Sequence, residues 1–169
     1  MNPRPLIIFL FFTLIAYTGI AQNVYEPVSK RSTIKGDCLY IIEDNKVYKS
    51  FGSLCFKDEC ILVFEDNKIY QTSGFGNVKG KCLYIIEGNR IYRSFNHFGT
   101  YKGDCLFFIE NGKVFHARNE FFKGDCLYII QQNGLFTPYN SFGTSVDEII
   151  WVLEGAIHVP LIVGLLLVN

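Results

Sequence analysis

The sequence has no net charge, one tryptophan and one methionine. Lys+Arg and Asp+Glu both number 16, which leaves neither the basic surplus that holds nucleic-acid phosphates nor a field that steers charged ligands. The G-x-S-x-G, H-E-x-x-H, P-loop and Rossmann glycine patterns are all missing. No C-x-x-C occurs, and His97, His116 and His158 stand at unrelated spacings, whereas a zinc needs three or four converging ligands. These absences leave no catalytic, cofactor-binding or metal-binding residue to nominate, and no cofactor. What is abundant is Phe, at 16, and Tyr, at 10, within a chain that is 49% hydrophobic. Together with Ile and Val they make a strand-forming composition, in a length of 169 residues that suffices for one buried core.

Residues 1–21 read as a secretory signal peptide. Arg4 precedes an apolar run from Leu6 to Ala16, short for a membrane span, and Gly19-Ile20-Ala21 offers small residues to a signal peptidase. The expectation is an exported chain, periplasmic or extracellular, beginning at Gln22.

Over residues 22–144 the chain repeats. CLYIIEDNKVY, CILVFEDNKIY, CLYIIEGNRIY, CLFFIENGKVF and CLYIIQQNGLF start at Cys38, Cys60, Cys82, Cys105 and Cys126, in units that begin near residues 35, 57, 79, 102 and 123. Each is a hairpin signal: five or six β-prone residues, a two-residue turn, and a short return. Asp44-Asn45, Asp66-Asn67, Gly88-Asn89 and Asn111-Gly112 tolerate the positive φ of tight hairpin turns, while Gln132-Asn133 is the poorest of the set. Glu43, Glu65, Glu87 and Glu110 face Lys46, Lys68, Arg90 and Lys113 across those turns. Simple alternation puts Cys38, Tyr40 and Ile42 on one face and Leu39 and Ile41 on the other, both apolar. Strands apolar on both sides need cover on both, and closing the hairpins into a ring supplies it. Val24-Tyr25 matches a return strand without its partner, an N-terminal half-unit suited to closing that ring. Between units recurs Phe-Gly, at Phe51-Gly52, Phe75-Gly76, Phe98-Gly99 and Phe142-Gly143, with Gly expected in a bend and Phe packed beneath it.

In these hairpins, with LYII at Leu39–Ile42, Leu83–Ile86 and Leu127–Ile130, the chain resembles the five-fold beta-flower family of exported bacterial repeat proteins. The resemblance implies a fold but no biochemical activity. The expected fold is therefore all-β: five tandem hairpins closed into a barrel-like ring of approximate five-fold symmetry, plus a C-terminal apolar helix.

That helix is expected within residues 145–169. Ser145-Val146-Asp147-Glu148 matches a capping box, and Pro160 should end or kink the helix. Two fates compete for Ile149 to Val168. Ile149, Ile150, Val152, Leu153, Ala156 and Ile157 fill the ring as a core helix, or the run contacts a membrane, against the cost of burying Glu154 in lipid. Glu154 and His158, at i and i+4, would share one helical face, as a local polar contact or as an oriented general base.

Six cysteines in an exported protein suggest disulfides, yet equivalent residues of successive hairpins lie two strands apart, beyond the reach of an S–S bond. The repeat cysteines therefore read as buried small hydrophobes; Cys55 alone falls outside the repeat register, and if it is bonded at all its partner is Cys38 or Cys60. The functional expectation is a non-enzymatic structural or binding module of the bacterial cell envelope. Its linkers, such as Asn96-His97 and Arg118-Asn119-Glu120, would meet protein or glycan, and no nucleic acid is expected as a partner. The alternatives are an envelope protein anchored by its C-terminal apolar segment, and a hydrolase.

Overall fold

The computed structural model describes residues 21–73, 78–131, 133–155 and 157–168. The chain enters on β1 (Gln22–Pro27) and then makes five hairpins of one long and one short strand. They are β2 (Lys35–Glu43) with β3 (Lys46–Phe51), β4 (Phe56–Glu65) with β5 (Lys68–Thr72), and β6 (Lys79–Glu87) with β7 (Arg90–Ser94). β8 (Lys102–Glu110) with β9 (Lys113–Ala117) and β10 (Lys123–Gln131) with β11 (Gly134–Pro138) complete the set. A last strand, β12 (Val146–Glu154), precedes the helix α1 (Val159–Leu166). Each strand pairs antiparallel with its neighbours, and β1 joins β12 to β2, so the described strands form a closed ring. The long strands reach nine or ten residues rather than five or six, because the Lys-Gly-x or equivalent tripeptide before each cysteine joins the sheet.

The hairpins number six, not five. β12 and β1 pair as Asn23↔Glu154, Val24↔Leu153 and Tyr25↔Val152, the register of Lys46↔Glu43, Val47↔Ile42 and Tyr48↔Ile41. The sixth hairpin is thus split between the two ends of the chain, and it replaces the expected five-fold arrangement. The half-unit seen in Val24-Tyr25 does close the ring, but its partner is a strand expected to be a helix. The Ser145 capping signal is overridden because β11 and β1 both offer an open edge. Ile149, Trp151, Val152 and Leu153 suit the pleated sheet that joins those edges. The repeat domain therefore runs past residue 144 to Glu154.

Simple alternation fails inside every long strand. Tyr25 pairs with Cys38 and Val24 with Tyr40, so Leu39 is an extra residue, a β-bulge. The same skip falls at Ile61, Leu83, Leu106, Leu127 and Ile150. Its effect is to turn Leu39, Tyr40 and Ile42 toward the ring interior while Cys38 and Ile41 pack on the opposite side with Tyr25 and Tyr48. Both sides of the sheet are thereby dry, each with its own apolar cover.

The interior is filled by α1. Leu161, Ile162, Val163 and Leu165 are buried against Ile42, Leu62, Ile69 and Leu153. Gly164 lies so close to β5 that a Cβ there would meet Ile69 Cδ1 at 2.7 Å. The core-helix fate expected for the C-terminus holds, but for Leu161 to Leu165. Ile149 and Val152 pack on the outer side of the sheet, and Trp151 and Leu153 reach the interior from β12. Pro160 begins the helix, where its missing N–H costs nothing, instead of ending it.

Removal of everything after Gly143 strips the ring of β12 and α1 together, and this variant should show no cooperative thermal unfolding by circular dichroism. The milder Ile162→Ala should cost about 2–5 kcal/mol in denaturant titration, the range for a large-to-small change in a packed core.

Candidate binding mouth and linker rim

A closed antiparallel ring has two ends, one carrying the tight hairpin turns and the other the linkers. On the outside, five seams between neighbouring hairpins share one device. Lys35 lies over the Tyr25 ring at 5.0 Å and pairs with Glu154 at 2.5 Å. Lys102 lies over Tyr92 at 4.5 Å and pairs with Glu87 at 2.6 Å. Lys57, Lys79 and Lys123 do likewise over Tyr48, Tyr70 and Phe115, reaching Glu43, Glu65 and Glu110. The turn glutamates do stand opposite Lys46, Lys68, Arg90 and Lys113 in register, but their ion pairs go to the lysine of the next unit. Each lysine sets its ammonium over an aromatic ring while the side chain stays partly exposed to water. The recurring glutamates are thus occupied as seam partners. Glu154 belongs to this set: the Lys35 ammonium first, and the Tyr25 hydroxyl second, hold its carboxyl below the usual value.

Glu154 and His158 do not share a helical face, since Glu154 ends a strand and His158 caps α1. His158 Nδ1 accepts from Leu161 N at 3.4 Å and its ring meets Phe64 edge-on at 5.0 Å. Burial pushes its imidazole below the ordinary value. The expectation of an oriented general base therefore has no geometry behind it.

The linkers fold back over the cysteines. Gly99 and Gly143, at φ 66° and 64°, lie so close that a Cβ would meet the Sγ of Cys82 at 2.6 Å and of Cys126 at 2.5 Å. The amides of Cys82 and Cys126 donate to His97 O and Ser141 O at 2.8 and 2.7 Å. In the linker between β3 and β4 Cys55, at φ 55°, is joined to Cys38 by a disulfide with Cα atoms 5.3 Å apart. Of the two partners considered for Cys55, Cys38 is the one bonded. The linker after β9 is two residues shorter, since Cys105 and Cys126 are 21 apart against 23 between Cys82 and Cys105. It closes on itself, Arg118 N donating to Phe122 O, and leaves Cys105 half-buried. Burial pushes the Cys60, Cys82, Cys105 and Cys126 thiols up, so none is primed as a nucleophile.

The expected contact residues divide by role. Asn96 and Asn119 are staples: Asn96 Oδ1 accepts from Thr100 N, and Asn119 Oδ1 accepts from the Phe121 and Phe122 amides. His97, Arg118 and Glu120 remain exposed on the rim. The phenylalanines of the Phe-Gly pairs do not tuck beneath their bends. Phe51, Phe98 and Phe142 are 73–77% exposed, because the space under Gly99 and Gly143 already holds a cysteine. Phe75-Gly76 lies outside the described residues. Among the described residues no three His, Cys, Asp or Glu side chains converge as metal ligands.

Within the linker end lies a mouth that local sequence patterns do not announce. Lys49 pairs across its hairpin with Tyr40, Gln71 with Leu62, Arg93 with Tyr84 and His116 with Phe107. Cross-strand partners share a face, so four polar side chains stand on the inner face beside an apolar layer. The helix enters from the turn end and stops below that layer, where the Tyr84 hydroxyl donates to Leu167 O at 3.5 Å. Above it a cleft of about 420 Å³ is lined by Tyr40, Lys49, Leu62, Gln71, Tyr84 and Val168, among others. Tyr40 in turn meets Trp151 edge-on at 6.1 Å. The wall offers donors and acceptors together, for Lys49 is ion-paired to Glu59 at 2.9 Å.

A ring of six hairpins, one assembled from the chain's two ends and plugged by a short helix, defines the class of protein. The family described as 6-fold beta flower protein matches residues 24–162, and the chain belongs to it. The beta-flower resemblance seen in the hairpins is borne out at the level of the family, with six in place of five. No curated protein and no solved structure matches the chain.

Alkylation of the denatured, unreduced protein should add four labels and six after reduction, with Cys105 labelled first in the native state. In acid, stability should fall through His158. Its folded pKa lies below the ordinary value of about 6.5, so the unfolded chain binds the proton first and stability declines as pH drops from there. Melting temperature between pH 7.5 and 5.5 should fall further in the wild type than in His158→Asn, which keeps a capping acceptor without titrating.

Proposed function

We propose that the chain is an exported, non-enzymatic scaffold of the bacterial cell envelope that binds through the linker end of its ring. One observation carries this reading. Every linker holds a large apolar side chain out to solvent: Ile34, Leu54, Val78, Phe98, Phe121 and Phe142, each 60–77% exposed. The turns at the opposite end present Asp, Asn and Gly instead. Soluble proteins seldom leave a large apolar patch uncovered unless it meets a partner. Export rests on the signal read in residues 1–21, which lie outside the described residues except for Ala21.

The alternative of an anchor in residues 149–168 is less favoured. Leu161, Ile162 and Leu165 are fully buried in the ring, and among the described residues no helix is long and apolar enough to cross a membrane. Among the described residues no nucleophile and base converge to support the hydrolase alternative.

The triple variant Phe98→Ser, Phe121→Ser, Phe142→Ser changes only exposed positions, where single substitutions stay within about 0.5 kcal/mol. Wild-type protein mixed with isolated bacterial envelopes should sediment with them, and the folded variant should remain in the supernatant. Equal sedimentation of both would remove the rim from the account.

A further inference from the structure

We infer that the mouth of the ring is a binding site for a neutral saccharide chain, an inference that rests on the scaffold reading and names what the scaffold holds. The cleft of about 420 Å³ falls in the size range of small-molecule sites. Its surface is divided in two. The floor is Tyr40, Ile61, Leu62, Leu83, Tyr84 and the end of the helix at Val168, and the wall is Lys49 and Gln71, with Arg93 opposite Tyr84 on the strand pair that borders it. A pyranose ring has the same division, with apolar C–H faces that lie on aromatic rings and hydroxyls that both donate and accept hydrogen bonds. Gln71 donates and accepts, the Lys49–Glu59 pair does both at one place, and Arg93 forms no ion pair with a described residue.

Charge selects against other small ligands. Leu167 O, at the C-cap of α1, lies beside the Tyr84 hydroxyl at the cleft, and a helix C-terminus disfavours anions. Arg93 beside the cleft repels cations, while Glu59 balances the charge of Lys49. A lipid tail would leave Lys49, Gln71 and Arg93 desolvated without partners. An extended peptide has no free edge to pair with, since every described strand is hydrogen-bonded on both sides. A neutral, hydroxyl-rich chain satisfies the floor and the wall together.

Trp151, the single tryptophan, stands edge-on to Tyr40 from the buried core and so reports on the floor of the mouth. The test titrates the full mature chain with cellotetraose and chitotetraose, which are neutral, and with tetragalacturonate and tetraglucosamine, which are charged. Tryptophan emission and calorimetry are the readouts. At least one neutral tetramer should bind tenfold or more tighter than either charged one. Gln71→Ala and Arg93→Ala should each weaken that binding at least fivefold with melting temperature unchanged. No binding by either neutral tetramer, equal binding of the charged ones, or wall variants that bind like wild type would overturn the assignment. Sedimentation with envelopes that persists without saccharide binding overturns the saccharide alone, whereas loss of both takes the scaffold reading with it.

Discussion

The long strands are apolar on both faces, and neither face can be left to water. The rest of the structure depends on this constraint. A flat sheet of such hairpins would need a second layer on each side and would still leave two edges unpaired. Closing the sheet removes the edges, and the chain then has one inner face and one outer face to cover. The inner face receives α1. The outer face receives the return-strand aromatics, laid over the Cys and Ile positions and overlaid in turn by lysine ammoniums. The six bulges turn the Leu and Tyr positions inward together and leave Cys and Ile facing out.

Closure also explains the weight carried by the chain's two ends. β1 and β12 belong to one hairpin yet lie more than a hundred residues apart, so the sixth unit forms only when the other five are in place. Its seam keeps the pattern of the others, with Tyr25, Lys35 and Glu154 in the usual roles. The seam between β11 and β12 departs, since Val146 stands where the other long strands begin with lysine or, in β4, with Phe56 followed by Lys57. The linkers vary one theme in the same way. Gly99 and Gly143 press on Cys82 and Cys126, and Cys55 makes the equivalent contact to Cys38 covalent.

The five hairpins and their turns were legible because they are local: Asp44-Asn45, Asp66-Asn67 or Asn111-Gly112 fixes a turn from two residues, and both members of each of these pairs take positive φ. The sixth hairpin was not. Cysteine served as the marker of a unit, and Ile149 stands in its place, while Ser145 and Glu148 give a helix signal that long-range pairing overrules. The bulges leave no trace in composition, because Leu39 in a regular strand and Leu39 in a bulge look alike. The mouth was hidden for a related reason. Lys49, Gln71, Arg93 and His116 differ in type and fall one to a hairpin, two residues after Val47, Ile69, Ile91 and Val114, so only the register brings them together.

Amide hydrogen exchange tests the closed ring most directly. If β12 lies between β11 and β1, the amides of Val24, Val152 and Leu153 exchange as slowly as those of Ile86 and Ile91 in the middle of the sheet. Exchange of Val24 and Leu153 at the rate of an unpaired chain, with the central hairpins still protected, would contradict closure and with it the sixth hairpin.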